Sequence, residues 1–159
     1  MATTVATATM TVTIQEELFL NGKDQGMKTT RSIAGLGEYQ RSIKRCIEDK
    51  TMTLVSYDSS AANVNGSNEW FDQKVKYIRV TNLDSAVTAE LIINFASGDV
   101  IFKLLPSESF LMIGGEDPMS FAAGSAGTAT VFASATSIQC HMTTGDCDLE
   151  VVVASTPLT

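Results

Sequence analysis

The chain is poor in the residues that do most protein chemistry: its 159 residues hold one histidine, one tryptophan, three cysteines and three prolines. A Ser-His-Asp or Cys-His site would have to be built on His141, and no neighbouring residue is marked out as its partner. Cys46, Cys140 and Cys147 include no closely spaced C-x2–4-C pair, so the usual ligand spacing of a zinc site is missing and small buried side chains are expected. An odd cysteine count points to assembly in a reducing compartment. The opening "MATTVATATMTVTIQEE" has neither the basic n-region nor the apolar h-region of a signal peptide. No apolar run approaches the roughly 20 residues that span a bilayer, so a soluble protein with no membrane partner is expected.

Positive charge is scarce as well. Eleven basic against eighteen acidic residues give a formal charge of −7, which repels a phosphate backbone. The one basic cluster, Arg41, Lys44 and Arg45 in "RSIKRC", reads as a solvated strand face, and no nucleic-acid partner is expected. No phosphate-cradling loop with a Lys-Ser or Lys-Thr ending occurs. "GGED" at 114–117 matches four letters of a nucleotide-cyclase loop without its α/β surroundings, and reads as a turn. The acid pairs Glu16/Glu17 and Glu116/Asp117 have no separation fixed by the sequence, and Asp84, Asp99 and Asp146 read as turn formers rather than calcium ligands. No catalytic residue, metal or cofactor is expected; the chain does not read as an enzyme.

What the chain does have is strand-forming residues. Hydrophobic residues make up 44% and charged ones 18%, enough for a core without staples and too little charge for a disordered acidic tail. "TATMTVTIQEELFLNG" alternates Thr with Met10, Val12 and Ile14 and ends at a turn-forming Asn21-Gly22. "SIAGLGEYQRSI" predicts a loop with one helical turn, and Thr51–Tyr57 a strand, followed by a Ser/Asn/Gly-rich surface loop. Lys74 to Phe95, "KVKYIRVTNLDSAVTAELIINF", predicts a hairpin closed by Asn82 and Asp84, with Ile78, Val80, Leu91, Ile93 and Phe95 inward. "ASGD" is the next turn, Pro106 stops "VIFKLLP", and "ESFLMIGG" is a short strand. The small-residue stretch 122–136 predicts a surface loop or a tightly packed segment, and "SIQCHM" with "CDLEVVVAS" a final hairpin. Regular short strands without βα alternation predict an all-β fold, an antiparallel β-sandwich or jelly roll with an extended N-terminal arm. Residues 1–14 are the arm and first strand; residues 15–159 form a single sandwich domain.

Three segments, "NVNGSNEWFDQKVKYIRVTNLDSAVTAELIINF", "FKLLPSESFLMIGG" and "CDLEVVVAS", together with "TVTIQEELFLNGKDQG", carry a resemblance over about two-thirds of the chain. They resemble small virion proteins of tailed phages, those of marine phages and cyanophages in particular. The shared pattern is strands and turns without a chemical signature residue. The chain departs from it at "AGLGEYQRSIKRCIEDK", which is unusually charged. The resemblance implies a non-enzymatic capsid decoration or cement protein of a bacteriophage virion that bridges major capsid subunits. It would assemble in the host cytoplasm and sit on the capsid surface. A tail or head-fibre component with a receptor- or carbohydrate-binding β domain is the alternative.

On that reading the partners are the major capsid protein or other virion proteins, and further copies of the chain, a trimer on symmetry grounds. Met10, Val12 and Ile14 of the Thr-rich arm are candidate contacts by strand addition. Phe19, Tyr39, Trp70 and Phe71 are candidate aromatic anchors, each of which core packing would equally well occupy. An exposed Trp70 would also serve the carbohydrate reading, by stacking on a sugar ring.

Overall fold

A computed structural model of the protein describes residues 6–58, 64, 68–71, 74–96, 98–113, 120–122, 129–131 and 135–157. The described elements are strands: β1 (Ala8–Glu16), β2 (Phe19–Leu20), β3 (Lys23–Asp24), β4 (Met27–Leu36), β5 (Glu38–Cys46), β6 (Thr51–Asp58), β7 (Glu69–Phe71), β8 (Val75–Asn82), β9 (Ala89–Phe95), β10 (Gly98–Leu104), β11 (Ser109–Ile113), β12 (Ser120–Ala122), β13 (Ala129–Val131), β14 (Ala135–His141) and β15 (Cys147–Ser155). The "GGED" turn and most of the small-residue stretch 122–136 lie outside the described residues.

Two sheets form the sandwich, one ordered β11-β8-β15-β5 and the other β10-β9-β14-β6-β7. All pairings within them are antiparallel except β6 with β7. The chain passes between the sheets from β5 to β6, β7 to β8, β8 to β9, β10 to β11, β11 to β14 and β14 to β15, which with these strand orders is jelly-roll connectivity. Period-two alternation drives the packing. Ile78 and Val80 of β8, Leu149, Val151 and Val153 of β15, and Leu91, Ile93 and Phe95 of β9 meet in one core between the sheets. All five inward residues predicted from the 74–95 stretch are buried there.

The expected hairpins at 74–95 and 137–155 are absent. β8 pairs with β11 and β15, whereas β9 pairs with β10 and β14, so β8 and β9 face each other across the core. β14 and β15 are divided in the same way. Alternation specifies which side chains point inward; it does not specify which strand lies alongside. The expected loop at 32–43 is also overturned. Gly35, at φ +76°, and Gly37 make a corner, and β5 then pairs with β15 along its whole length, from Glu38 opposite Ser155 to Cys46 opposite Cys147. A Cβ on Gly37 would stand 2.7 Å from the Pro157 ring, so the corner requires glycine for space.

One buried asparagine ties three crossings together. Asn82 Nδ2 donates to the carbonyls of Val87 (2.8 Å) and Leu104 (3.0 Å), while its Oδ1 accepts from Asp84 N (2.9 Å) and from the Cys147 thiol (3.0 Å). Its own N–H donates to Glu108 O, and Leu83 N donates to Asp148 O. The β8–β9, β10–β11 and β14–β15 connections thus converge on one side chain. Asp84 completes the corner by accepting from Ala86 N and Val87 N, which holds its carboxyl below the usual range. The "NLDS" turn is a structural corner.

Candidate interaction surface

The most prominent surface feature is the ribbon made by the first four strands. β1 and β4 pair antiparallel from Met10 opposite Ile33 to Glu16 opposite Met27. Strand β1 runs through position 14 and is paired within its own chain, so its first half is not a free tail. Directly opposed residues share a face, giving the ribbon two chemistries. One face carries Thr11/Ser32, Thr13/Thr30 and Gln15/Lys28, with the two hydroxyls of Thr13 and Thr30 3.3 Å apart. The other carries Met10/Ile33, Val12/Arg31, Ile14/Thr29 and Glu16/Met27.

The apolar face is only half covered. Ile33, Leu36, Met10 and Val12 pack on the outer side of the four-stranded sheet, against Tyr77, Val152, Ala154, Leu111 and Ile113. This second core explains the run Val151–Ala154: the ribbon covers what faces out and the sandwich covers what faces in. Beyond Val12 cover ends, and every residue from 13 to 32 is exposed. At about 3.3 Å per residue, the ten-odd residues of each limb reach roughly 30 Å.

The tip is a small hairpin of its own. β2 and β3 pair across Asn21 and Gly22, both at positive φ (51° and 74°), as a tight two-residue turn demands. Gln25 N donates to Leu18 O at 2.7 Å, in register with the pairs on either side, and Gly26 N to Asp24 Oδ1 at 2.8 Å. A Cβ on Gly26 would lie 2.3 Å from Glu16 O, so the close approach of the two limbs here requires glycine. A groove of about 590 Å³ lies below the tip, with Gln15, Glu17, Phe19 and Met27 in its lining. Leu18, Leu20 and Met27 are exposed, and Phe19 is 75% exposed.

A second exposed apolar set lies on the edge strand β5. Tyr39, Arg41, Ile43 and Arg45 alternate along its outer face, with Ile47 just beyond; Tyr39 is 61% and Ile43 65% exposed. The arginines anchor to the neighbouring strand. Arg41 and Arg79 both bind the Glu150 carboxylate, whose side chain is 8% exposed, and Arg41 Nε lies 2.6 Å from Oε1. Arg41, then Arg79, hold the Glu150 carboxyl below its usual range against the opposing effect of burial. Arg45 pairs with Asp146 at 3.1 Å.

The sequence candidates are therefore scattered. Phe19 and Ile14 lie on the projecting ribbon, Met10 and Val12 at its covered base, and Tyr39 on β5. Trp70 is 6% exposed inside the main core, so it offers no stacking platform to a sugar; the side chain of Phe71 lies outside the described residues. Leu18, Leu20, Met27, Ile43 and Ile47 escaped the sequence reading. The signal available for them was an apolar residue beside charged or turn-forming neighbours.

The groups with potential chemistry are engaged structurally. Cys46, Cys140 and Cys147 are buried, with Cys140 Sγ 3.5 Å from Met142 Sδ and Cys46 Sγ 4.0 Å from Met52 Sδ. Burial pushes the Cys147 thiol up to about 11, and contact with Cys46 followed by burial raises that of Cys140, so both stay protonated at neutral pH. His141 points away from Cys140 and its Nδ1 lies 3.2 Å from Thr51 Oγ1. Among the described residues no three His, Cys, Asp or Glu side chains are grouped to hold a metal. No helix among them is long and apolar enough to cross a membrane. No family model, curated protein or solved structure matches the chain.

Proposed function

We propose that the protein is a non-enzymatic structural component of a phage virion, a decoration or cement protein that docks on the capsid surface and bridges major capsid subunits. The observation that carries this reading is the exposed ribbon of residues 13–32, with its apolar tip, anchored on a jelly roll. Apolar side chains at the end of a projecting two-stranded ribbon have no use within the chain and are suited to a partner's pocket. The segments that resemble phage virion proteins point the same way. Binding only to the assembled shell stabilises that shell by mass action, and a specific contact buries at least about 1,000 Å².

The test is to mix purified protein with assembled shells lacking it and measure occupancy. Saturation at a fixed ratio is expected, with occupancy reduced by a Phe19→Asp, Leu20→Asp double substitution. Failure to bind shells, or full occupancy by the double variant, would remove the proposal's support.

A further inference from the structure

We infer that the ribbon tip of one copy docks on the outer face of β5 in a second copy of this chain, so that copies join head to tail. The inference rests on reading the ribbon as a docking element and names one of its partners. Two surfaces hold most of the exposed apolar side chains. Of the eleven large ones exposed among the described residues, eight lie on the ribbon beyond Val12 or along β5 and Ile47. A chain that only needed solubility would scatter them.

The two surfaces also belong to one incomplete layer. The ribbon covers the outer face of the four-stranded sheet from Val152 and Ala154 on β15 to Leu111 and Ile113 on β11, and leaves the β5 side bare. It joins β5 at Leu36, two residues before that strand begins, and its residues 13–32 project from the covered base, every one of them exposed. Each copy thus carries an uncovered overhang and an uncovered strip. A neighbour's overhang laid on the strip completes the layer with the kind of contact the ribbon base already makes.

Length and charge fit this arrangement. A four-stranded sheet is about 15–20 Å wide at 4.8 Å per strand, so a reach of roughly 30 Å spans it. Glu16 and Glu17 stand at the root of the tip, while Arg41 and Arg45 lie between the apolar side chains of β5. Each guanidinium carries five N–H donors, and with side chains 63% and 65% exposed both keep donors free for a partner's carboxylates. An isolated two-stranded ribbon is marginally stable in water, which gives it reason to be covered. Because tip and strip are different surfaces, the contact is heterologous: it closes into a ring if the rotation between copies closes.

The experiment uses the full-length protein and reads mass by light scattering across a concentration series. Oligomers are expected, with Phe19→Asp and Ile43→Asp each weakening assembly at least about tenfold and the exposed Leu83→Asp control leaving it unchanged. Far-UV circular dichroism verifies that the variants are folded. Phe19→Cys protein mixed with Ile43→Cys protein should form an intermolecular disulfide under mild oxidation, while Phe19→Cys alone should not. A monomer at all concentrations overturns the inference, and so does cross-linking of Phe19→Cys with itself, which would mean tip-to-tip contact. Shell binding separates the two readings. A monomer that still binds shells overturns only this inference; a tip-dependent oligomer that binds none supports it and overturns the capsid role.

Discussion

Two asparagines open turns in this molecule, and their surroundings are opposite. Asn82 is wholly buried and its side chain bonds four groups from three connections. Asn21 is exposed at the end of the ribbon, where its positive φ of 51° shapes a turn. One residue holds a sandwich shut through polar groups that water cannot reach; the other shapes a surface that the chain itself leaves uncovered. The difference places the buried polar ties in the crossings and the proposed docking in the ribbon. It also implies separate responses, because local opening of the ribbon need not disturb the core.

The sharpest way to break this division is Asn82→Ala. The substitution strands the buried carbonyls of Val87 and Leu104 and leaves a small cavity, so a loss of roughly 2–4 kcal/mol is expected. At about 2–4 °C per kcal/mol for a chain of this size, melting should fall by about 5–15 °C. The Phe19→Asp protein should melt within about 1–2 °C of the parent, since its side chain is exposed. An Asn82→Ala protein that melts with the parent would show that the crossings do not depend on this side chain. Hydrogen exchange resolves the same contrast by residue. In the unassembled protein, amides of residues 13–32 should exchange at least about 100-fold faster than those of β15. Comparable protection would mean that the ribbon is part of the rigid body.

The sequence made the inward faces of the sandwich legible and left its connectivity open. Ile78, Val80, Leu91, Ile93 and Phe95 were recognisable because alternation is local. That β8 and β9 would occupy different sheets was not, because pairing is decided by strands far away, such as β15 between β5 and β8. For Trp70 the sequence left contact anchor and core packing equally open, and pairing of β7 with β6 carries it into the core. The same limit hid the exposed apolar strip. Ile43 sits in a charged segment whose exposure follows from β5 being an edge strand, and Val152 gave no sign that its outward face would be covered by the ribbon. The tip was visible only as Asn21-Gly22; the close backbone approach that requires glycine at position 26 was not.

An intermediate effect is expected where the sheet meets the bare strip. Glu150→Gln leaves Arg41 and Arg79 facing each other without a carboxylate, at a cost of about 1–2 kcal/mol near neutral pH, moderated by the exposure of both arginines. The pH dependence fixes its origin. Glu150 has a folded pKa below its ordinary 4.5, so its contribution is fully present above that value and disappears as pH falls through the folded pKa. The difference in stability between parent and Glu150→Gln, followed by denaturant titration, should therefore be constant from about pH 5 to 8 and shrink below that. A difference that persists unchanged into strong acid would assign the effect to packing, and β5 would then be held by its backbone ladder alone.

The smallest change tests the ribbon in isolation. A Cβ on Gly22 meets nothing within 4 Å, so Gly22→Ala removes no contact and creates no clash. What it adds is the penalty of an L side chain at φ +74°, about 1 kcal/mol, applied at the tip. If the ribbon opens independently of the sandwich, exchange of amides 13–32 should rise about fivefold while the global melting curve stays within about 0.5 kcal/mol of the parent. Assembly should weaken by a similar factor, because a tip that is less often formed must be ordered at the moment of binding. A global loss of about 1 kcal/mol would instead show that tip and sandwich unfold as one. The two asparagine turns would then be parts of a single cooperative unit, and the uncovered apolar face would be held in shape by the core.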